Sequence, residues 1–425
     1  MLHTDRPIDI IVYGATGFTG KLVCEYLKTR YLDNPDENLS IAIGGRSRQK
    51  LENVKSEAGL SDEVKIFVAD SHNEDKLDEM TQQTKTVLAL VGPYALYGDA
   101  LIAACVKNGT HYFDLSAETA WSSLQIAKLD AQARESKAII IHSCGYDSVP
   151  SDLNVMLAVR ELKRLAGSAA QVGRVTSGAY SNGGIISGGT LASALNMYDA
   201  GISTLRKVMA CYVLSPVEGP QKTSSRTWIT REPGLIGGFF LMGPHNGAIV
   251  RRSWGLMEAS VKPSVKANRY GENFTYDEYL LTSGALGAFI LTLVFRIFGF
   301  LLFIPLFRSL VRKYGPQSGE GPDEKTRKSG KLQMITTAHS VKDDVQVRVT
   351  MNGTGDPGYH WTSICISECA VTCVKCHKEL PLLAQHGGFL TPSTGLGDAL
   401  LRRLEGVGSV TIKTNVLKNG LKKKL

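Results

Sequence analysis

Residues 8–20 read IDIIVYGATGFTG, and this stretch decides the fold. The β-branched run Ile8–Tyr13 stops at Gly14. Gly17 and Gly20 follow, and a helix-compatible segment, Lys21–Lys28, comes straight after. Strand, glycine turn and helix in this order form the layout that receives a dinucleotide pyrophosphate. Gly14 permits the tight turn, Gly17 lets the backbone approach the phosphates, and Gly20 lets the helix pack on the strand. The unpaired N–H groups of the first helical turn then face the anion. Thr16, Phe18 and Thr19 complete the cradle. The spacing is GxxGxxG, which is less specific as a bare pattern than GxGxxG. Its place directly after a strand gives it weight against the competing reading, a glycine-rich turn with no ligand.

The end of the next strand points to one cofactor over another. Leu39–Gly45 reads as a strand, and Arg46, Ser47 and Arg48 follow it. Sites that prefer NAD place an acidic residue about 20 residues beyond the glycines, on the ribose hydroxyls. No acid stands here. Arg46, with Ser47 beside it, suits a 2′-phosphate through a charge-assisted fork, so the expected cofactor is NADP. The alternative is that Arg46 and Arg48 are solvated loop charges.

Further strands are expected at Val64–Ala69, Thr86–Val91, His111–Leu115 and Ala138–Ser143. Helix-compatible stretches, among them Ala100–Asn108 and Thr119–Ser136, lie between them. This alternation predicts an α/β fold, a Rossmann-type doubly wound parallel sheet over residues 1–150. Ligands in such sheets lie beyond the carboxyl ends of the strands. Asp70 at the end of the third strand is expected near the adenine, and Gly92 and Pro93 after the fourth beside the cofactor. Tyr94, Tyr97, Tyr146 and Asp147 are the proton donors at strand ends, and Tyr94, Tyr146 and Asp147 are taken as the catalytic candidates. No tyrosine is followed four residues later by lysine, so the acid of short-chain dehydrogenases is absent. Cys144 reads as a small buried thiol rather than a nucleophile.

At 425 residues the chain has room for more than one domain. Residues 151–279 and 331–386 are expected to form a second α/β domain. Glycine pairs at Gly183-Gly184, Gly188-Gly189 and Gly237-Gly238 mark turns within it. Val345–Met351 alternates as a half-buried strand does. Residues 308–330 read as a basic, glycine-rich linker, and 387–425 as a C-terminal helix and strand with a basic tail. The net charge of +8 is not clustered as a nucleic-acid patch would be, so no nucleic-acid partner is expected. A first strand so near Met1 leaves no room for a signal peptide, and eight cysteines then indicate a reducing compartment. Cys365, Cys369, Cys373 and Cys376 recur mainly every four residues, one face of a helix. Zinc sites usually draw two ligand pairs from separate elements, so a buried helix without metal is expected.

Residues 280–307 read LLTSGALGAFILTLVFRIFGFLLFIPLF, with Arg296 as the one charge. About 20 apolar residues would span a bilayer. A central arginine is costly there, and Gly299 and Pro305 interrupt the run. Arg308, Arg312 and Lys313 flank its exit. An apolar segment that lies in a membrane or lipid-droplet surface without crossing it is expected. A buried core or oligomer-interface helix is the alternative.

These blocks together resemble a known family. GATGFTG (Gly14–Gly20), GGRS (Gly44–Ser47), GPYALYG (Gly92–Gly98), CGYDSVPSD (Cys144–Asp152), GEGPDEKTRKSG (Gly319–Gly330) and GGFLTPSTGLGDALLRRLE (Gly387–Glu405) cover nearly the whole length. The chain resembles the saccharopine dehydrogenase-like oxidoreductases, the group that includes the mycobacterial trans-acting enoyl reductases. It is most similar to the eukaryotic members, whose apolar segment is tied to lipid droplets and membranes. The resemblance implies a Rossmann domain, a second α/β domain and an NADP-dependent oxidoreductase, with lipid synthesis as its setting in the bacterial branch. An amino-acid substrate is not implied. The function expected is reduction of a lipid-like or acyl substrate, including enoyl reduction, at a lipid surface. The location would be the cytosolic face of a membrane, a lipid droplet first, with the mitochondrion or endoplasmic reticulum as alternatives. A homo-oligomer is left open. The competing class is a non-catalytic NADP(H)-binding protein of the same surface.

Overall fold

The computed structural model describes residues 5–146, 148–182, 188–222, 227–315 and 322–420. The catalytic candidate Asp147, the pair Gly183-Gly184 and the end of the basic tail lie outside the described residues.

Two seven-stranded sheets organise the chain. The first holds β1 (Ile8–Tyr13), β2 (Ile41–Gly45), β3 (Lys65–Val68), β4 (Thr84–Ala89), β5 (His111–Asp114), β6 (Ile139–Ile141) and β13 (Gly388–Leu390). Its order is β13-β6-β5-β4-β1-β2-β3, and every pairing is parallel. The chain leaves β1 toward β2 and β3 and then crosses to β4, so the order reverses between β1 and β4. A parallel sheet is covered on both faces, which is why β1, β4, β5 and β6 are nearly all buried and β1 and β6 read as apolar runs. The covering helices are α1 (Phe18–Leu27), α2 (Arg48–Glu57), α3 (Glu74–Gln82), the single turn α4 (Tyr94–Tyr97), α5 (Asp99–Asn108), α6 (Thr119–Ser136) and α7 (Val149–Ala166). The helix after the glycine turn starts at Phe18, not at Lys21, because Gly17 is already its N-cap.

The second sheet runs β14 (Val410–Asn419), β12 (Val345–Thr354), β11 (Lys331–Ser340), β7 (Val172–Asn182), β10 (Thr275–Leu281), β9 (Leu235–Phe239) and β8 (Thr230–Glu232). Only β7 and β10 pair in parallel. In β12 the alternate residues Val345, Val347, Val349 and Met351 are buried, and α7 packs over this strand and β11. The remaining helices are α8 (Gly188–Asp199), α9 (Ile202–Val208), α10 (Gly243–Ala259), α11 (Pro263–Lys266), α12 (Ala285–Leu301), α13 (Pro305–Tyr314), α14 (Glu324–Ser329), α15 (Thr362–Lys375) and α16 (Gly397–Gly406).

The division expected from sequence changes in two places. α15 lies against α1, β4 and β5, so residues 362–386 join the first sheet instead of the second domain, and β13, from the segment expected as a C-terminal helix and strand, pairs with β6 through Phe389 and Ile140. The physical reason is coverage. Cys365, Cys369 and Cys373 form the buried small-residue face that closes one side of the parallel sheet. Glycines expected to be turns also serve otherwise. Gly188-Gly189 open α8. A Cβ on Gly238 would strike Thr292 Oγ1 at 2.7 Å, so this glycine lets α12 approach β9.

Residues 280–307 divide at Leu302–Ile304. α12 and α13 meet at a bend of 107°, and among the described residues no single helix is long and apolar enough to cross a membrane. The pair is not a core element either. Only Ala288 and Thr292 of α12 are buried, whereas Leu286 is 73% exposed, and Phe300 and Leu306 are each 71% exposed.

Candidate cofactor and active site

The fingerprint turn sits at the reversal of strand order. Gly14 has φ +92°, a left-handed conformation that favours glycine, and a Cβ there would meet Val91 Cγ2 at 2.7 Å. At Gly17 a Cβ would meet only Gly14 O at 3.3 Å and Leu90 O at 4.0 Å, which leaves room for a phosphate. Gly20 differs from expectation. Its missing Cβ would strike Gly14 O and Ala15, so it packs α1 onto the turn itself rather than onto the strand. No side chain caps the N-terminus of α1, and its first turn carries no acid. Its N–H groups and dipole therefore suit an anion, and the residues fit a dinucleotide pyrophosphate. Thr16, Phe18 and Thr19 are half-buried around it.

Arg46 is exposed at the end of β2 and makes no ion pair among the described residues. Ser47 caps α2 by accepting from Lys50 N–H at 3.5 Å, and Arg48 pairs with Glu52 at 3.7 Å. Asp70 is exposed at the end of β3, where Oδ1 accepts from His72 N–H at 3.0 Å. Both Arg46 and Asp70 act on the Tyr13 hydroxyl, whose pKa is raised chiefly by burial. Tyr13 donates to Ala69 O at 3.1 Å and ties β1 to the end of β3.

Gly92 and Pro93 follow β4, next to Val91, joined by a cis peptide bond. The catalytic expectation for Tyr94 is corrected by its contacts. Its buried hydroxyl donates to Ala89 O at 2.9 Å and accepts from Leu115 N–H at 3.1 Å. That makes Tyr94 a strut between the ends of β4 and β5, with burial holding its pKa well above the ordinary phenol value. Tyr97 is partly exposed, with its ring 5.8 Å from that of His72. Tyr146 belongs to the core, and its N–H donates to Thr362 Oγ1 at 3.0 Å. Glu118 does what the sequence did not reveal. Its carboxylate accepts from Tyr94 N–H at 2.8 Å and Ala95 N–H at 2.9 Å, fixing the loop that follows Gly92 and Pro93.

A polar cluster missed from sequence closes the ends of β5 and β6. Asp114 accepts from Ser116 N–H and Ser143 N–H at 2.9 and 3.0 Å and contacts His142 Nδ1 at 2.7 Å. Ser143 has φ +61°, strained for a non-glycine residue. Its hydroxyl donates to Ser116 O at 2.6 Å and lies 2.8 Å from His245 Nε2. Since that hydroxyl has one proton, His245 Nε2–H donates to Ser143 Oγ, and His245 Nδ1 accepts from Thr119 Oγ1 at 2.8 Å. Burial, reinforced by His142 and opposed by Asp114, pushes His245 down to about 4. His245 lies on α10, so it brings the second half of the chain onto the first sheet. Arg252 of the same helix donates to Leu214 O and, at 2.5 Å, to Phe389 O. Ser253 donates to Asp152 Oδ1 at 2.5 Å. Nothing in the local sequence of α10 marks these roles.

His111, Cys373 and His377 place ligand atoms within 4.8 Å of one another. Ile139 N–H donates to His111 Nδ1 at 3.0 Å, so the neutral ring carries its proton on Nε2 and offers a metal no lone pair while that bond holds. The group also lies at the start of β5, at the opposite end of the sheet from the fingerprint. Two concavities of about 310 and about 520 Å³ lie on the second sheet, and neither is lined by a fingerprint residue.

Comparison with known proteins agrees with this geometry. Residues 10–141 match the family model of the saccharopine dehydrogenase NADP binding domain. A trans-acting enoyl reductase of Mycobacterium ulcerans is 31% identical over 438 residues, covering 98% of this chain and 100% of its own. One of Mycobacterium tuberculosis is 32% identical over 432 residues, covering 96% and 98%. Another M. tuberculosis protein, which bears that name provisionally, is 34% identical over 440 residues, covering 98% and 100%. Among solved structures, the apo saccharopine dehydrogenase (L-Glu forming) of Saccharomyces cerevisiae superposes with a TM-score of 0.53 at 10% identity, over 96% of this chain and 100% of that one. At that identity the likeness concerns the fold alone.

Proposed function

We propose that this chain, which belongs to the saccharopine dehydrogenase-like oxidoreductase family of the mycobacterial trans-acting enoyl reductases and uses NADP(H), reduces the conjugated double bond of a lipid-like acyl substrate at a lipid surface. The observation that carries the reading is the fingerprint turn, with room at Gly17 and followed by a helix with no side-chain cap, and the exposed Arg46 that makes no ion pair among the described residues. Bound, the nicotinamide supplies hydride to one carbon of the double bond, and the neighbouring carbon takes a proton. The protein's part is orientation. The turn and α1 hold the pyrophosphate, Arg46 grips the 2′-phosphate, and Glu118 fixes the loop at the end of β4. His245 and Asp114 close the ends of β5 and β6 against water. With Tyr94 engaged as a strut and Tyr146 in the core, water is the proton source in this reading.

The surface part of the reading is supported by α12 and α13. Monomeric soluble proteins rarely leave a large contiguous apolar patch bare. Here Leu286, Phe289, Ile290, Val294, Phe300 and Leu306 are exposed together on a bent pair. Arg296, the charge that would be costly in a bilayer core, lies with its guanidinium 4.0 Å from the centre of the Trp228 ring, so the indole covers it. The bend and the basic Arg308, Arg312 and Lys313 suit a segment lying in one leaflet or monolayer. The test is turnover of a lipid extract with NADPH. Consumption of NADPH that depends on the extract supports the enzyme. Tight NADPH binding with no consumption across extracts would favour the non-catalytic surface protein.

A further inference from the structure

The apolar helix pair and the cofactor crevice are joined by one helix, α8. Leu191 and Tyr198 are separated by about two turns and so share a face. That face meets the helix pair. Leu191 lies against Gly315, and the Tyr198 ring meets Phe303 edge-on with centroids 5.3 Å apart. At the C-terminal end of α8, Asp199 pairs with Arg308 at 2.8 Å and with Arg312. Ser193 is rotated about 200° from Leu191 around the helix. Its hydroxyl donates to Glu118 Oε1 at 2.9 Å. The same carboxylate holds Tyr94 N–H and Ala95 N–H, directly after Gly92 and Pro93.

We infer that α8 is a latch through which an anionic lipid surface, engaged by α12 and α13, opens the cofactor crevice, with Glu118 as the positioning residue at the crevice end. The inference rests on the lipid-surface reading above. Asp199 is 38% and Arg312 44% exposed, and an ion pair so open to solvent is weak, whereas Arg308 is 15% exposed and also donates to Leu302 O at 2.7 Å, so Arg312 is the arginine a surface reaches first. Lipid phosphates compete with Asp199 for Arg308 and Arg312. They bind these arginines only where Asp199 has let go, so the surface discriminates between the two states, as a shift of equilibrium requires. Once Asp199 is released, the one side-chain hydrogen bond that holds α8 to Glu118 among the described residues is that of Ser193, beside the packing of the buried Leu195. Glu118 keeps its two backbone donors after that bond breaks, so the loop after β4 holds its shape while α8 withdraws.

The experiment is stopped-flow measurement of NADPH association with the full chain. It is run in buffer, with phosphatidylcholine vesicles, and with vesicles containing phosphatidylserine, with sedimentation of each mixture alongside. Phosphatidylserine vesicles are expected to sediment the protein and to raise the association rate constant about fivefold or more, the lower range of allosteric coupling. Phosphatidylcholine alone leaves the rate as in buffer. Ser193→Ala and Asp199→Asn are expected to show the fast rate without lipid. Wild-type slowness in Ser193→Ala without lipid overturns the latch. Sedimentation with no change in rate overturns the coupling and leaves the lipid-surface reading standing. Failure to sediment overturns the surface reading, and the coupling with it.

Discussion

His245 makes stability depend on pH in a calculable way. The ring is buried between Thr119 and Ser143, uses both nitrogens as a neutral imidazole, and titrates at about 4 in the folded chain. The ordinary value is 6.5. A depressed folded pKa means that the unfolded chain binds the proton more readily. The associated stability is therefore present above about 6.5 and is lost as the pH falls toward about 4. The total loss is on the order of 3 kcal/mol, since each pKa unit is worth about 1.4 kcal/mol. About 2 kcal/mol of it falls between pH 7 and pH 5. Full burial means that solvent screening does not reduce this figure. His245→Gln keeps a hydrogen-bonding side chain of similar reach but cannot titrate. Urea unfolding of both proteins at pH 7 and pH 5 isolates the effect, because every other titrating group is common to the two. Wild type should lose about 2 kcal/mol more than His245→Gln over that interval. Equal losses would show that His245 is not held neutral and that its bonds to Ser143 and Thr119 are not those described.

Other outcomes follow from the same geometry. Arg46→Asp should weaken NADPH binding by about 1.5–3 kcal/mol, the range for hydrogen bonds to charged groups, and leave NADH affinity nearly unchanged in fluorescence titrations. Gly17→Val should fold, by circular dichroism, yet lose thermal stabilisation by NADPH, since its side chain fills the space left for phosphate. Leu286→Asp combined with Phe300→Asp should abolish sedimentation with vesicles without lowering the melting temperature, because both side chains are exposed and about 1.5–3 kcal/mol of apolar transfer is lost at each.

The first sheet was legible because its signals are local. Apolar runs that end at glycine mark β1, β2 and β4, and the turn at Gly14 needs a conformation that only its own residue type accepts readily. β13 was not legible. It has three residues, and its partner β6 lies about 250 positions earlier, so no periodicity announces it. The glycine turn and the exposed place of Arg46 at the end of β2 could be read from spacing. The fate of Tyr94 could not, because a tyrosine after a strand looks the same whether its hydroxyl faces a substrate or a carbonyl. Glu118, His245 and Ser193 act across the fold through single hydrogen bonds, which leave no pattern in the chain. The apolarity of residues 280–307 was plain in the sequence. Only the structure distinguishes an exposed bent pair from a buried helix.

Hydride transfer from NADPH to a conjugated acyl chain is open to a direct isotope experiment. The protein is incubated with a medium-chain or long-chain 2-enoyl thioester and NADPH carrying deuterium at C4 of the nicotinamide, and the saturated acyl product is examined by mass spectrometry. One deuterium is expected in the product, with the label delivered from a single face of the nicotinamide and lost in Gly17→Val. NADPH bound with full affinity, and no label in any acyl product, would contradict it.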